Sequence, residues 1–310
     1  MKKTIRIGTR GSQLALWQAR WIQTKINQNR PDCTTELAII KTTGDKITDA
    51  PLSKVGGKGL FVKEIEEALL DGRIDIAVHS MKDMPSEIPQ GLCIGAVPQR
   101  ENPLDALVSE QYASIDALPP GARLGTSSLR RGAQLLNYRP DLDITPLRGN
   151  LDTRLKKLAN TDLDAIVLAS AGLIRLGMAD RITAHIEPEI MLPAVGQGAL
   201  CIESRTNDRE MGPIISSLDH TRSHIAVLAE RAFSQHLEGG CQVPIAAHAT
   251  IADDRLQITG LVAELDGRQV LKDTVEGSCD QAAAIGLELA ENLLAQGAGP
   301  ILERLMHHAQ

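Results

Sequence analysis

The first part of the chain alternates short apolar runs with stretches in which apolar residues recur at helical spacing. Runs of this length bounded by polar residues are typical of buried strands, whereas the longer periodic stretches predict helices. The predicted elements are strands at 4–8, 36–42 and 75–80 and helices at 12–29 and 61–70. Ser12 is a suitable N-cap for the first helix, and Gly72 ends the second.

The same rhythm restarts after Pro103, which indicates a second domain of similar design. The predicted elements there are strands at 105–109, 123–125, 143–147 and 164–169 and helices at 129–138 and 152–160. Strands that alternate with helices favour an α/β architecture with largely parallel sheets.

The last third of the chain has a different pattern. It comprises a helix at 223–237, β-type runs at 246–252, 256–265 and 269–276, and helices at 280–295 and 299–308. Asp266-Gly267 between the last two runs is a strong hairpin signal. Consecutive strands followed by helices predict a small α+β domain.

Composition supports a globular protein with two or three cores, because 43% of the 310 residues are hydrophobic. Aromatic residues make up only 2%, so Leu, Ile, Val and Ala must fill those cores. The five cysteines, an odd number without CxxC spacing, argue against a disulfide framework or a structural zinc site. The chain shows neither an apolar leader nor a run of 18 apolar residues, so we expect a cytoplasmic protein without membrane contact.

Charge is unevenly distributed along the chain. The formal net charge of −6 argues against general nucleic-acid binding. Residues 121–181 nevertheless contain eight Arg and two Lys against six Asp and no Glu, a local charge of +4. This Arg-biased middle favours a small anionic ligand.

Four predicted strand ends carry Gly or hydroxyl residues with an arginine nearby. They are Thr9-Arg10-Gly11-Ser12, Gly125 to Arg131, Leu147 to Asn150 followed by Arg154, and Ala169 to Gly172 followed by Arg175. A single one of these is more typical of an ordinary helix cap with solvated arginines. The repetition at the carboxyl ends of strands favours an extended anion-binding cleft.

Three further segments leave alternatives open. The glycine- and lysine-rich loop from Lys54 to Phe61 is either a solvated connection or a mobile basic loop, and Phe61 is either a core anchor or a stacking surface. Asp83, after the strand that ends at Ser80, is either a plain ion-pair partner of Lys82 or a group that stabilises a cation. Cys241, after Gly239-Gly240, is either a buried thiol or a site of covalent chemistry.

Taken together, seven segments resemble the porphobilinogen deaminase family, also called the hydroxymethylbilane synthases. They are residues 9–15, 54–61, 79–85, 125–131, 147–155, 192–199 and 237–244, in the family's order. Gln13 stands where the family usually has Pro, in a first helical turn that tolerates Pro without requiring it.

The resemblance implies an activity and a cofactor. The family condenses four porphobilinogen molecules head to tail into linear hydroxymethylbilane, releases four ammonia, and is primed by a covalent dipyrromethane. The implied cofactor residues are Cys241, through a thioether, with Lys58, Ser80, Lys82, Asp83, Thr126, Ser127, Ser128, Arg130, Arg131, Arg148 and Gly149. The implied substrate residues are Arg10, Ser12, Lys54, Phe61, Arg148, Arg154, Arg175 and Gln197. Asp83 is the implied catalytic residue, and no metal is expected.

The resemblance also implies the fold, as two type-II periplasmic-binding-protein-like α/β domains and a smaller C-terminal α+β domain. The expected limits are 1–99 with 197–217, then 103–193, then 221–310, in a monomer whose ligand is porphobilinogen. Two rival functions are a solute-binding protein, which predicts a leader and no loop cysteine, and a nucleotide-using transferase. The transferase requires a phosphate-binding motif, and the loop at 54–61 does not match GxxxxGK[ST].

Overall fold

The computed structural model describes residues 4–46, 59–237 and 243–308. The strands are β1 (Thr4–Thr9), β2 (Thr34–Ile39), β3 (Ile76–Ser80), β4 (Leu92–Ala96), β5 (Asp105–Val108), β6 (Arg123–Gly125), β7 (Asp143–Thr145), β8 (Ala165–Ala169), β9 (Ala184–Ile186), β10 (Leu200–Arg205), β11 (Ile245–Ala252), β12 (Arg255–Ala263) and β13 (Val270–Ser278). The helices are α1 (Gln13–Asn29), α2 (Thr43–Lys46), α3 (Lys63–Leu70), α4 (Leu129–Tyr138), α5 (Leu151–Asn160), α6 (Ser170–Arg175), α7 (Gly212–Ser216), α8 (Thr221–His236), α9 (Ala282–Ala295) and α10 (Ala298–His308).

The first sheet has the strand order β2-β1-β3-β10-β4. β1 pairs in parallel with β2 and β3, whereas β10 runs antiparallel to both β3 and β4. Helix α1 covers one face because its buried residues, among them Ile22 and Ile26, recur at helical spacing and pack against Ile5 and Ile7 of β1.

The second sheet repeats this design in the order β7-β6-β8-β5-β9. β6 is parallel to β7 and β8, and β5 is antiparallel to β8 and β9. In each sheet one strand, β10 or β5, therefore runs against the other four. The prediction of largely parallel sheets is confirmed, because four strands of each sheet share one direction. The local sequence pattern does not indicate the one reversed strand in each sheet.

A third core lies under the antiparallel sheet β11-β12-β13. Helices α8 and α9 pack on it around Phe233, which is fully buried. Gly260 in β12 permits this contact, since a Cβ there would lie 2.9 Å from the Phe233 ring. The predicted hairpin forms at Asp266-Gly267, with Gly267 at φ +71°. The fold class, two α/β units and a smaller α+β unit, is confirmed.

The chain crosses between the two five-stranded sheets twice. The first crossover joins β4 to β5, and the second joins β9 to β10. They meet where the Glu101 amide donates to the Gly198 carbonyl at 3.1 Å. Gly198 has φ +85°, and a Cβ there would lie 2.4 Å from the Glu101 carbonyl oxygen, so only glycine fits.

The structure corrects several predicted bounds. The second strand spans Thr34–Ile39 rather than 36–42, and the third helix begins at Lys63 rather than Phe61. Strands β4, β9 and β10 are not among the predicted elements. The hydrophobic pattern does not reveal two of these strands. Strand β9 has only three residues. Strand β10 lies between two other strands and buries the charged Glu203, which interrupts its apolar run. Within the described ranges, none of the helices combines the length and apolar character needed to cross a lipid bilayer.

Candidate functional site

The carboxyl ends of parallel strands from both sheets carry several of the predicted site residues. β1 leads into Arg10, and β3 leads into Lys82 and Asp83. In the second sheet, β6 leads into Arg130 and Arg131. Lys82 experiences the charges of Asp83, Arg130 and Arg131, so the two sheets bring these residues together in one cleft. This is the location that open α/β sheets use for ligands.

Asp83 lies at the end of a short 3-10 turn, Met81–Asp83, that continues β3. The turn is held by the Met81 amide, which donates to the Ala199 carbonyl at 3.0 Å. Gly196 packs against Met81 so closely that a Cβ would lie 2.4 Å from its Cγ. The half-buried Asp83 carboxylate accepts no hydrogen bond from the described residues, which leaves it available to a ligand donor.

Lys82 and Arg154 are charged groups held in a partly dry cleft. Burial, together with the nearby Arg131 charge, lowers the pKa of Lys82 to about 8, while the Asp83 carboxylate opposes this shift. Burial also lowers the pKa of Arg154 to about 10, with repulsion from Arg131 and Arg148 and attraction from Asp83. Cations that repel one another across a cleft favour an anionic ligand with several carboxylates.

Arg130 and Arg131 occupy the first turn of α4, and both are buried. Arg130 Nη1 donates to Asp105 Oδ2 at 2.8 Å, and Arg131 Nε donates to Asp105 Oδ1 at 2.9 Å. Burial would raise the pKa of Asp105, but the two guanidinium charges and its hydrogen bonds lower it to about 2. The predicted anion-binding pair, Arg130 and Arg131, is therefore already paired with the Asp105 carboxylate, whose single negative charge lies beside two positive charges.

Hydroxyl residues around this pair organise the backbone. Ser128 is the N-cap of α4 and accepts from the Arg131 amide at 3.4 Å. Thr126 Oγ1 accepts from the Ser128 amide at 3.2 Å, and Ser127 Oγ donates to the Leu147 carbonyl at 2.9 Å. These three predicted cofactor residues shape the strand-to-helix loop in this structure.

The segment from Arg148 to Arg154 forms a second strand-to-helix loop. Gly149 has φ +115°, and its carbonyl accepts from Arg154 Nε at 2.8 Å. Asn150 caps α5 by accepting from the Thr153 amide. Arg148 adds positive potential at Arg154, which places this predicted pair in the same cleft.

Arg10, Ser12 and Phe61 lie at the end of β1. Arg10 pairs with Asp45, with Nη2 to Oδ1 at 2.5 Å, and its guanidinium lies 4.2 Å from the centre of the Phe61 ring. Phe61 thus stacks on an arginine in this structure. Ser12 caps α1 by accepting from the Ala15 amide at 3.3 Å.

Arg175 and Gln197 lie at the crossovers. Arg175 Nη2 donates to the Gly198 carbonyl at 2.7 Å, and burial lowers the pKa of Arg175 to about 10. Gln197 Nε2 donates to the Pro103 carbonyl at 2.7 Å and to Asp105 Oδ1 at 3.1 Å. Gln197 Oε1 is buried without a hydrogen-bond partner among the described residues.

Sequence reasoning missed two residues that support the site. Gln18 of α1 donates from Nε2 to Ser80 Oγ at 2.8 Å, and Asp105 holds the arginine pair. Gln18 resembles any other polar residue of an amphipathic helix, and Asp105 resembles an ordinary polar strand start, so no local signal marks either. Their importance comes from partners distant in sequence.

Lys54, Lys58 and Cys241 lie outside the described residues, so their predicted roles stay predictions. Within the described residues, no group of three or more His, Cys, Asp or Glu side chains is placed to hold a metal ion.

Comparisons with known proteins match nearly the whole chain to one family. The family profile "Porphobilinogen deaminase, dipyromethane cofactor binding domain" matches residues 5–212, and the profile "Porphobilinogen deaminase, C-terminal domain" matches residues 224–295. The porphobilinogen deaminase of Syntrophotalea carbinolica is 56% identical over 97% of this chain and 96% of its own length. That of Pelotomaculum thermopropionicum is 55% identical over 98% and 97%. Among solved structures, the periplasmic aliphatic sulphonate binding protein SsuA from Escherichia coli has a TM-score of 0.43 and 14% identity, covering 77% of this chain and 71% of that one.

The fold and site define an α/β protein with a cation-lined cleft suited to a polycarboxylate. The chain belongs to the porphobilinogen deaminase family, as the sequence resemblance predicted. It is therefore an enzyme of tetrapyrrole synthesis, and its residues 5–212 match the family's dipyrromethane cofactor-binding domain.

Proposed function

We propose that this chain condenses four porphobilinogen molecules head to tail into linear hydroxymethylbilane, with release of four ammonia. The single observation that carries the proposal is the position of Asp83, a carboxylate whose charge acts on the cations Lys82 and Arg154. A pyrrole with acetate and propionate side chains needs this combination, since its ring N–H is a donor and its side chains are anions.

The residues present also suit a dipyrromethane. Two linked pyrroles bring several carboxylates, and the described part of the cleft offers more cationic groups than carboxylates: Lys82, Arg130, Arg131, Arg148 and Arg154 against Asp83 and Asp105. Gln197 Oε1, which is buried and has no partner among the described residues, adds an acceptor at the edge of the arginine pair. We propose a thioether from Cys241 as the covalent link.

Asp83 is the proposed catalytic residue. In each condensation the aminomethyl group of porphobilinogen, protonated on its nitrogen, leaves as ammonia when its C–N bond breaks, and the ring becomes a cationic azafulvenium that keeps its N–H. The free α-carbon of the preceding pyrrole then forms the new C–C bond to the methylene carbon. That α-carbon releases its proton to water, which balances the proton that the amine had taken up. When bound, the cofactor supplies the free pyrrole carbon that primes elongation. The Asp83 carboxylate accepts from pyrrole N–H groups and stabilises the positive charge that develops on the ring, which is electrostatic preorganisation.

The cations have binding and orienting roles. Lys82, Arg148 and Arg154 bind carboxylates across the cleft, and Arg10, Ser12 and Phe61 contribute from the end of β1. Arg175 and Gln197 act at the crossovers, where a ligand carboxylate competes with the Gly198 carbonyl for Arg175. The proposed domain limits, the monomeric state and the cytoplasmic location stay predictions.

The test is the stoichiometry of the reaction catalysed by the purified full chain. Porphobilinogen consumption, ammonia release and hydroxymethylbilane formation are measured together. The proposal predicts one ammonia for each porphobilinogen consumed and one product for every four. Binding of porphobilinogen without ammonia release would contradict it and would favour a solute-binding protein.

A further inference from the structure

Asp105 connects three parts of the molecule through one fully buried carboxylate. It is the first residue of β5, and its side chain has no exposed surface. It accepts from Arg130 at 2.8 Å, from Arg131 at 2.9 Å and from Gln197 at 3.1 Å. The two arginines come from the first turn of α4, and Gln197 comes from the second crossover.

The same network fixes the planes of both guanidinium groups. Arg130 Nη1 also donates to the Leu192 carbonyl at 2.6 Å, and Arg131 Nη1 donates to the Val167 carbonyl at 2.8 Å. Each arginine is thus held at two points, and a guanidinium held in this way keeps its remaining N–H groups in fixed directions. The cluster keeps an excess positive charge, because Asp105 neutralises only one of the two arginines.

We propose that Asp105 is a positioning residue for the reaction: it orients Arg130 and Arg131 toward the carboxylates of the pyrrole ligand and, through Gln197, couples that orientation to the second crossover. The proposal rests on the proposed function for the nature of the ligand. The hydrogen-bond network itself is independent of that assignment.

A simple counter-ion and a positioning residue predict opposite results for Asp105→Asn. Removing a buried negative charge makes the cleft more positive, so Coulomb attraction alone tightens the binding of a polyanion. Loss of orientation instead weakens the binding of the polyanion. The Asn side chain has one acceptor oxygen, whereas the donors around Asp105 use both carboxylate oxygens, and its NH₂ group would face guanidinium donors. The direction of the change therefore separates the two roles.

The experiment compares full-length wild type with Asp105→Asn and with Asp143→Asn. Asp143 is the matched control, an exposed carboxylate at the start of β7 that lies 3.6 Å from Arg123. Three quantities are measured: the fraction of chains that carry the cofactor by intact mass, KM and kcat for porphobilinogen, and Tm. We expect Asp105→Asn to lower cofactor occupancy several-fold, or to raise KM about tenfold in the loaded fraction, while the control stays at wild-type values. Unchanged or higher occupancy together with an unchanged or lower KM would overturn the proposal.

A second variant covers the case in which Asp105→Asn fails to fold. Asp105→Glu keeps the negative charge but moves the carboxylate oxygens away from their hydrogen bonds with Arg130, Arg131 and Gln197. The positioning role predicts a KM for porphobilinogen raised several-fold although the charge is kept, and an unchanged KM would again overturn it. The experiments distinguish failure of the proposed function from failure of the role of Asp105. A wild-type protein that releases no ammonia contradicts the proposed function. Wild-type KM and cofactor occupancy in both variants contradict only the role of Asp105.

Discussion

Arg100 and Glu230 form a buried bidentate ion pair that joins the first crossover to helix α8, with Nη1 to Oε1 at 2.6 Å and Nη2 to Oε2 at 3.1 Å. Glu230 is fully buried, and its carboxylate also accepts from the Gly196 amide at 2.7 Å and the Ala249 amide at 2.8 Å. Both crossovers and the C-terminal sheet therefore meet at one side chain.

We expect Glu230→Gln to lower the free energy of unfolding by about 3–5 kcal/mol, because it leaves the Arg100 charge buried without a carboxylate. Urea denaturation followed by circular dichroism measures the change. Glu276→Gln is the control, since Glu276 is half-exposed and lies 3.9 Å from Arg255, and an exposed pair contributes about 1 kcal/mol or less. Equal losses in the two variants would show that Glu230 has no special structural role.

Asp83→Asn tests the proposed catalytic residue. Asn keeps the size of the side chain and an acceptor oxygen but lacks the charge that stabilises a cationic ring. We expect turnover of porphobilinogen to fall by about 10²-fold or more, with Tm and cofactor occupancy close to wild type. Turnover within about threefold of wild type would show that Asp83 is not the catalytic residue. Asp180→Asn, at an exposed position of the second unit, serves as the control.

The lowered pKa of Lys82 predicts a pH dependence of ligand binding. With a pKa of about 8 in the free protein, Lys82 loses its positive charge as pH rises through that value, and carboxylate binding weakens. We therefore expect KM for porphobilinogen to rise above pH 8 in wild type. A bound anion raises the pKa of Lys82, so saturating substrate shifts the effect to higher pH.

Lys82→Arg separates this effect from other alkaline changes, because a guanidinium stays charged throughout the range. In that variant we expect KM to rise less between pH about 8 and 9.5 than in wild type. The same alkaline rise in both proteins would assign it to another group.

Gly198→Ala tests the contact between the crossovers. The backbone at φ +85° disfavours a side chain, and the added Cβ would meet the Glu101 carbonyl. A strained backbone of this kind costs about 1–3 kcal/mol, and we expect Tm to fall and KM to rise, because the same carbonyl holds Arg175. Gly212→Ala is the control, since nothing lies within 4 Å of the position that its new methyl group would take. A Tm for Gly198→Ala equal to that of this control would show that the close contact of the crossovers does not require glycine.

The sequence predicts best those elements that are determined by residues close together in the chain. Helix α4 has its predicted bounds because Ser128 caps it and its apolar residues recur at helical spacing. The position of Arg130 and Arg131 at a strand end was also predictable. Their shared partner was not, because Asp105 precedes Arg130 by 25 residues and reaches it only through the packing of β5.

The reversed strands show the same limit. β10 lies beside β3, although His79 of β3 and Glu203 of β10 are 124 residues apart in the sequence. Glu203 is buried beside His79, with 3.1 Å between Oε2 and Nε2, so hydrophobic alternation does not mark β10 as a strand. Tertiary contacts define that strand, and only the family resemblance assigned residues 197–217 to the first domain.

The most direct test of the central claim is the mass of the purified native chain and of its peptides. We predict a mass excess corresponding to two linked pyrroles, located on the peptide that contains Cys241 and missing from a Cys241→Ser variant. An active protein whose Cys241 is unmodified would contradict the proposed covalent cofactor.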